Sequence, residues 1–258
     1  MSKDYIHKYW INKAKQKKHE AGASWEDIHM MELETMEIRK YIKRNQKVLD
    51  AGCANGFSTA NIFPNDEPNY LVAFDFVRLM VENAKIQFRK NGYKKLKYRF
   101  YHADIREIPE KDESFDIAYT IRVLINLPNW EDQKKALNEL IRVTRVGGLV
   151  IISEAFWGAL QNLNALRIIA GLPPLYEHDF NRYLKENILE SYLKERNLSY
   201  KVSQFSSLYY LGTRLVRDLN PSIPEGYNNE INKDFFDLCL KYDAGDLGIQ
   251  KQYVIEKR

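Results

Sequence analysis

The sequence predicts an α/β fold with a doubly wound, mostly parallel seven-stranded sheet, an N-terminal helical cap and an insertion after the fifth strand. Three observations lead there. Short apolar runs alternate with helix-length segments between residues 46 and 154, and strands separated by helices imply βαβ units with helices on both sheet faces. The first run drops into a glycine-containing turn, VLDAGCANGFST, that opens a helix. Asp50, Asp75 and Asp104 close three consecutive runs, and open α/β sheets bind ligands outside the carboxyl ends of their strands.

The elements follow in order. Residues 5–45 read as helices, with Ile28, Met31, Met36 and Tyr41 at helix-like intervals. The break at 21–24 separates two of them, with Ser24 the expected cap before Trp25, Glu26 and Asp27. Strands are expected at 47–50, 70–75, 97–104, 115–120 and 148–154, with helices from about 57, at 80–90 and at 133–143. Beyond Glu154 a helix over 156–170 stops at Gly171 and Pro173-Pro174. A helix over 185–196 and a strand over 198–206 follow, and 208–219 fits strand or helix equally. A Pro-rich loop at 220–226, a helix over 231–242, a glycine turn and a strand over 249–257 complete the chain. The expected organisation is a helical cap over 1–45, an α/β core over 46–154, and an acceptor-side insertion with closing antiparallel strands over 155–258 of the same domain.

Composition narrows the function classes. The 258 residues are 45% apolar and 13% aromatic, as in ordinary folded proteins. A net charge of +4 is too mild for a nucleic-acid binder, and the basic clusters at 13–18 and 94–99 read as solvated faces. No apolar run approaches the roughly 20 residues of a membrane helix, and the charged N-terminus lacks a secretory leader pattern. Cys53 and Cys239 suit a reducing cytoplasm. No His or carboxylate cluster has metal spacing, so no metal is expected.

The glycine turn excludes two ligand classes. No Lys-Ser or Lys-Thr follows the glycines, against a triphosphate loop. The spacing of Gly52 and Gly56 departs from the dinucleotide fingerprint, and Asp50 before the turn would repel a pyrophosphate and suit a cationic ligand. Asp75 is placed to accept two ribose hydroxyls. Asp104, with Ile105 beside it, is placed to take an adenine amino group and ring face.

VLDAGCANG, YLVAFDF, YHADI, SFDIAYTIRVLINLP and RVTRVGGLVIISE together resemble the class I S-adenosylmethionine-dependent methyltransferases over about residues 33–154. The resemblance implies a Rossmann-like methyltransferase fold and S-adenosyl-L-methionine as cofactor. It assigns Asp50, Gly52, Cys53 and Ala54 to the methionine moiety, Asp75 and Phe76 to ribose and adenine, and Asp104 and Ile105 to adenine. Ala54 departs from the usual glycine and is expected to narrow the turn. The segments SSLYYLGTRLVRDLN and PSIPEGYNNEIN resemble tails of bacterial methyltransferases from glycan and capsule gene clusters.

Methyl transfer mainly requires alignment of the acceptor atom, and a hydroxyl acceptor gains from a general base. His178 is the first candidate, since imidazole changes protonation near neutrality. Glu154, at the end of the fifth strand, is the second candidate, for binding the acceptor or serving as base, and His29 reads as a helix-face residue. Arg122 and Arg214 are candidates for holding an anionic group; Tyr209 and Tyr210 read equally as a stacking surface for a sugar ring or as core, and Trp10 as buried between helices or closing over the cofactor. The segment TIRVLINLP lacks the Asn- or Asp-Pro-Pro-aromatic motif of nucleic-acid amino methyltransferases. The expectation is cytoplasmic O-methylation of a small polar acceptor such as a sugar or sugar nucleotide, without nucleic acid or membrane partners. N-methylation of an amino sugar or small amine, or a non-catalytic binding role on the same fold, are the alternatives. Oligomeric state is left open.

Overall fold

The computed structural model describes residues 3–224, 226–227, 229–242 and 245–258. Glu225 and Asn228, which belong to the expected Pro-rich stretch, and Asp243 and Ala244 before the glycine turn lie outside the described residues, as do Met1 and Ser2.

Strands β1 (Lys47–Ala51), β2 (Tyr70–Asp75), β3 (Lys97–His102), β4 (Phe115–Ile121) and β5 (Thr144–Ala155) are parallel. Strand β7 (Gln250–Glu256) pairs antiparallel with both β5 and β6 (Ser199–Ser203), giving the order β3-β2-β1-β4-β5-β7-β6 in one sheet. The chain leaves β1 toward β2 on one side and returns to β4 on the other. That reversal opens a crevice beyond the carboxyl ends of β1 and β4.

Both faces of the sheet are covered, which is why its strands read as nearly unbroken apolar runs. On one face, α2 (Ile28–Arg39), α3 (Phe57–Ile62) and α4 (Arg78–Asn91) bury Ile38, Ile62, Ala84 and Phe88 against Val48, Leu71, Ile117 and Ile151. On the other, α5 (Trp130–Val143) and α7 (Glu186–Glu195) pack Leu137, Leu140 and Leu189 against Leu49, Val72, Ala118 and Ile152. Helix α5 shows its causes plainly. Asn129 caps it by accepting from the Asp132 amide at 2.9 Å, Glu131 and Asp132 face its positive end, and Arg142 sits in its last turn.

Above the carboxyl ends lies a roof made of α1 (Lys3–Lys17), the start of α2, α6 (Trp157–Ile169), α8 (Ser207–Leu211) with its π-helical extension Gly212–Val216, and α9 (Glu230–Cys239). Asn55, 1% exposed inside the glycine turn, donates to the carbonyls of Lys18 at 2.9 Å and Glu20 at 2.8 Å. Asn83 adds a bond to the Ala14 carbonyl at 3.2 Å. The roof is thereby pinned to the glycine turn itself.

Several elements differ from expectation, each for a local reason. The third strand stops at His102 because Asp104 leaves the sheet to bridge Glu107. The fifth begins earlier, at Thr144, through an irregular register near Phe115. The sixth ends at Ser203, where the chain turns and Ser206 Oγ donates to the Gln250 carbonyl at 2.6 Å. The ambiguous segment is helical, and Gly212 permits it: a Cβ there would lie 2.0 Å from the Phe235 ring. Among the described residues no helix is long and apolar enough to cross a membrane.

The cap of α2 is also corrected. Ser24 only returns its hydroxyl to the Ala21 carbonyl at 3.4 Å, while Asp27 accepts the Met30 amide at 3.2 Å. The fully buried Asp27 also accepts from the Tyr209 hydroxyl and pairs with Arg214 at 3.0 Å, tying α2 to α8. Asp27→Ala strips a buried ion pair and a cap, and is expected to cost about 3–5 kcal/mol. Ser24→Ala is expected to stay within about 0.5 kcal/mol. Urea denaturation midpoints of the two variants check the contrast.

Candidate active site

The glycine turn is built by backbone constraints. The amides of Gly52 and Cys53 both donate to the Phe74 carbonyl, at 2.8 and 2.9 Å, which folds the chain back over β2. Gly52 has φ +95° and its missing Cβ would lie 2.3 Å from Val123 Cγ2; Gly56 has φ +80° and would press on Ala84 at 3.1 Å. Ala54 is left-handed as well, at φ +45°, a conformation that costs an L-residue roughly 1–2 kcal/mol. Its amide donates to Asp75 Oδ2 at 2.9 Å. Its methyl packs against the cluster of Ala14, Ala23, Val77 and Met80 and borders the cavity below, so it adds to the cavity wall.

The three aspartates take different roles. Asp50 is 3% exposed and accepts from Thr59 Oγ1 at 2.6 Å and Tyr119 Oη at 2.8 Å. It braces the turn from inside and does not border the cavity, contrary to the expected contact with a cationic ligand. Burial lifts its carboxyl to about 7. Cys53 is likewise buried and set back from the cavity. Asp75 is the aspartate that borders the cavity. It accepts from the amides of Ala54 and Val77 (2.8 Å), one on each oxygen, and a carboxylate oxygen keeps a further lone pair for a ligand hydroxyl. Burial raises it to about 6. Asp104 borders the same cavity, held by the Arg106 side chain at 2.9 Å on Oδ1 and 2.6 Å on Oδ2.

A cavity of 680 Å³ joins these strand ends to the roof. Gly52, Ala54, Asp75, Phe76, Asp104 and Ile105 form one end; Tyr9, Trp10, Trp25, Arg122, His178 and Tyr183 belong to its remaining wall. His178 is exposed on the loop after α6, with its ring 4.6 Å from Phe180 and 5.9 Å from Tyr9. Arg122 directly follows β4 with φ +53°; it pairs with the fully buried Glu34, and its guanidinium lies 4.6 Å from the Trp25 ring.

Residues 42–196 match the methyltransferase domain family. The chain belongs to that family. An uncharacterized methyltransferase of Schizosaccharomyces pombe is 33% identical over 145 residues, covering 54% of this chain and 48% of that protein. The malonyl-[acyl-carrier protein] O-methyltransferase of Buchnera aphidicola is 31% identical over 121 residues, covering 46% and 44%. The chain spans about half the length of these curated relatives. A solved structure of an S-adenosylmethionine-dependent methyltransferase of Thermotoga maritima shares the fold, with TM-score 0.57, 16% identity, and coverage of 98% and 99%.

Within this methyltransferase domain the strand-end residues fit S-adenosylmethionine by their chemistry. A half-buried carboxylate with lone pairs to spare, Asp75, stands beside the apolar surfaces of Phe76 and Ile105, and Asp104 borders the same space. The other sequence-chosen residues divide. Trp10, Arg122 and His178 border the cavity, whereas Glu154, Tyr209, Tyr210, Arg214 and His29 do not. Tyr209 is fully buried and is held by Asp27 and Asn232, and Tyr210 is 4% exposed within the roof core, so neither is available to stack on a sugar. Arg214 is spent on Asp27 and on the rings of Tyr210 and Tyr227.

Glu154 is corrected from base to brace. It is 0% exposed and accepts from Thr120 Oγ1 at 2.9 Å and from the amides of Val123, Leu124 and Ile125 at 2.9, 3.0 and 3.3 Å. These bonds cap the short 3₁₀ turn Leu124–Asn126 that follows β4. Sequence reasoning also missed Asn55, Glu34, Trp25, Tyr9 and Phe180. Only the aromatic side chains of the N-terminal segment hinted at Tyr9 and Trp25, and no signal marked Phe180 in the loop after α6.

Burial raises the carboxyls of Asp50, Glu154 and Glu34 to about 7. The folded protein therefore keeps protons that the unfolded chain releases near pH 4. Stability is expected to fall as pH rises from about 4 to 7. Glu154→Gln removes one of these groups, so its urea midpoints at pH 5 and pH 7 should differ less than those of the parent. An equal difference in both proteins contradicts this.

Proposed function

We propose that the chain is an S-adenosylmethionine-dependent methyltransferase that methylates a hydroxyl of a small ring-bearing acceptor, with sugars and sugar nucleotides the leading class. One observation carries the reading: a single cavity contains both Asp75 and His178. Bound S-adenosylmethionine supplies an electrophilic methyl group. Asp75 and Asp104 hold the nucleoside part, and Gly52 lets the backbone approach the ligand closely. His178 accepts the hydroxyl proton as methyl transfer proceeds. Tyr9 and Trp10 of α1 pack on one another and on Phe180, and together limit water at the reacting end. Glu154 acts through the segment after β4 by fixing where Arg122, Val123 and Ile125 stand.

An oxygen acceptor is supported by the histidine on the cavity and by relatives named as O-methyltransferases. The sugar class is supported by aromatic side chains, whose faces suit the apolar face of a pyranose. A cytoplasmic setting is supported by the cysteine content alone, two thiols without metal-type spacing.

Calorimetric titration with S-adenosylhomocysteine tests the cofactor half. Asp75→Ala is expected to weaken binding at least tenfold, and the parent should bind about tenfold more weakly at pH 5 than at pH 7, because a carboxyl titrating at about 6 is mostly protonated at the lower pH. No binding by the parent, or an unaffected Asp75→Ala, sinks the reading.

For the chemical half, labelled methyl transfer is followed into a panel of sugars, sugar nucleotides and hydroxylated aromatic compounds. His178→Ala should lower turnover by about 10²- to 10⁴-fold while leaving S-adenosylhomocysteine binding intact. Unimpaired turnover removes His178 as the base.

A further inference from the structure

The cavity wall beyond the strand ends carries one guanidinium in an unusual setting. Arg122 stands in the left-handed region at φ +53°, a placement that needs surrounding support. That support is visible. Its amide donates to the Ser153 carbonyl at 2.9 Å, and its own carbonyl accepts from Asn126 Nδ2 at 2.6 Å. Its Nη1 donates to Glu34, whose carboxylate is 0% exposed. Nε and Nη2 have no hydrogen-bond acceptor among the described residues, and the side chain borders the cavity. Glu34 thus fixes one edge of the fork and leaves the other for a ligand.

The surroundings favour an anion over a cation. Cavity carboxylates Asp104 and Asp132 are engaged by Arg106, and Asp75 by two backbone amides. Burial raises the Glu34 carboxyl against the opposing pull of Arg122. Trp25 and Tyr227, 6.5 Å apart and edge to face, wall the same cavity. An anion site beside aromatic walls selects a ring with a charged substituent.

Resting on the methyltransferase reading above, we propose that Arg122 selects acceptors bearing a carboxylate or phosphate, which its outer edge takes in a bidentate hydrogen bond while Trp25 and Tyr227 pack on the ring. Guanidinium geometry matches both anions. The anion would orient the ring, so that one hydroxyl is presented for methylation.

The test uses the full chain, saturated with S-adenosylhomocysteine and also free, titrated with matched probes. Glucuronate and glucose 6-phosphate are compared with glucose, and benzoate and phenyl phosphate with benzyl alcohol. In at least one set an anionic probe should bind at least tenfold more tightly than its neutral partner. Arg122→Gln should erase that preference and leave S-adenosylhomocysteine affinity within about twofold. The double variant Glu34→Gln/Arg122→Gln, which leaves no buried charge unpaired, should behave the same if the single variant folds poorly. Equal binding of charged and neutral probes, no binding of any, a preference that survives in both variants, or joint loss of S-adenosylhomocysteine affinity in the double variant each overturns the proposal. Failure of the parent to bind S-adenosylhomocysteine instead overturns the methyl-transfer reading, and the free-protein titrations still decide the anion preference.

Discussion

One buried carboxylate joins the parts of the site. Glu154, at the end of β5, gathers three consecutive amides and a threonine hydroxyl from the strand beside it. A carboxylate without water is costly to bury, and charge-assisted bonds from four donors offset much of that cost. The segment it fixes touches everything else. Val123 fills the space that a side chain on Gly52 would need, and Arg122 reaches Glu34 on α2. The glycine turn, the post-β4 wall and the N-terminal helices are therefore positioned relative to one another through a group that never meets solvent.

The roof depends on the same economy of contacts. Asn55 belongs to the ligand turn yet spends its side-chain donors on the end of α1, and Asp27 binds α2 to the C-terminal helices. These polar groups sit where helix ends and loops meet, so each satisfies backbone or side-chain groups that would otherwise be buried unpaired. Aromatic side chains then close the gap between α1 and the loop after α6. Tyr9, Trp10, His178 and Phe180 form one contact cluster from two segments far apart in the sequence.

Much of the core was legible in the sequence because its signals are local. Alternating strand and helix patterns place β1 to β5, and glycines at positive φ mark the turn. The strand ends then bring Asp75 and Asp104 to one cavity. What was not legible depends on which way a side chain faces. Asp50 and Asp75 look alike as strand-end aspartates, but Asp50 turns inward to Thr59 and Tyr119 while Asp75 stays at the cavity. Glu154 looks like a candidate base until three amides are found upon it. Ser24 looks like the better cap, yet Asp27 wins through partners more than a hundred residues away. Residues 208–219 carry no decisive period, and their helical form follows from Gly212 packing on Phe235.

We propose that the crevice at the carboxyl ends of β1, β2 and β3 receives the methyl donor. Hydrogen exchange of the full chain, followed by mass spectrometry with and without S-adenosylhomocysteine, addresses it most directly. Protection is expected in peptides covering residues 51–57, 74–78 and 103–107, and by coupling through Asn55 in the end of α1. Unchanged exchange in all of them, or protection confined to a different part of the fold, would show that the donor does not bind in this crevice.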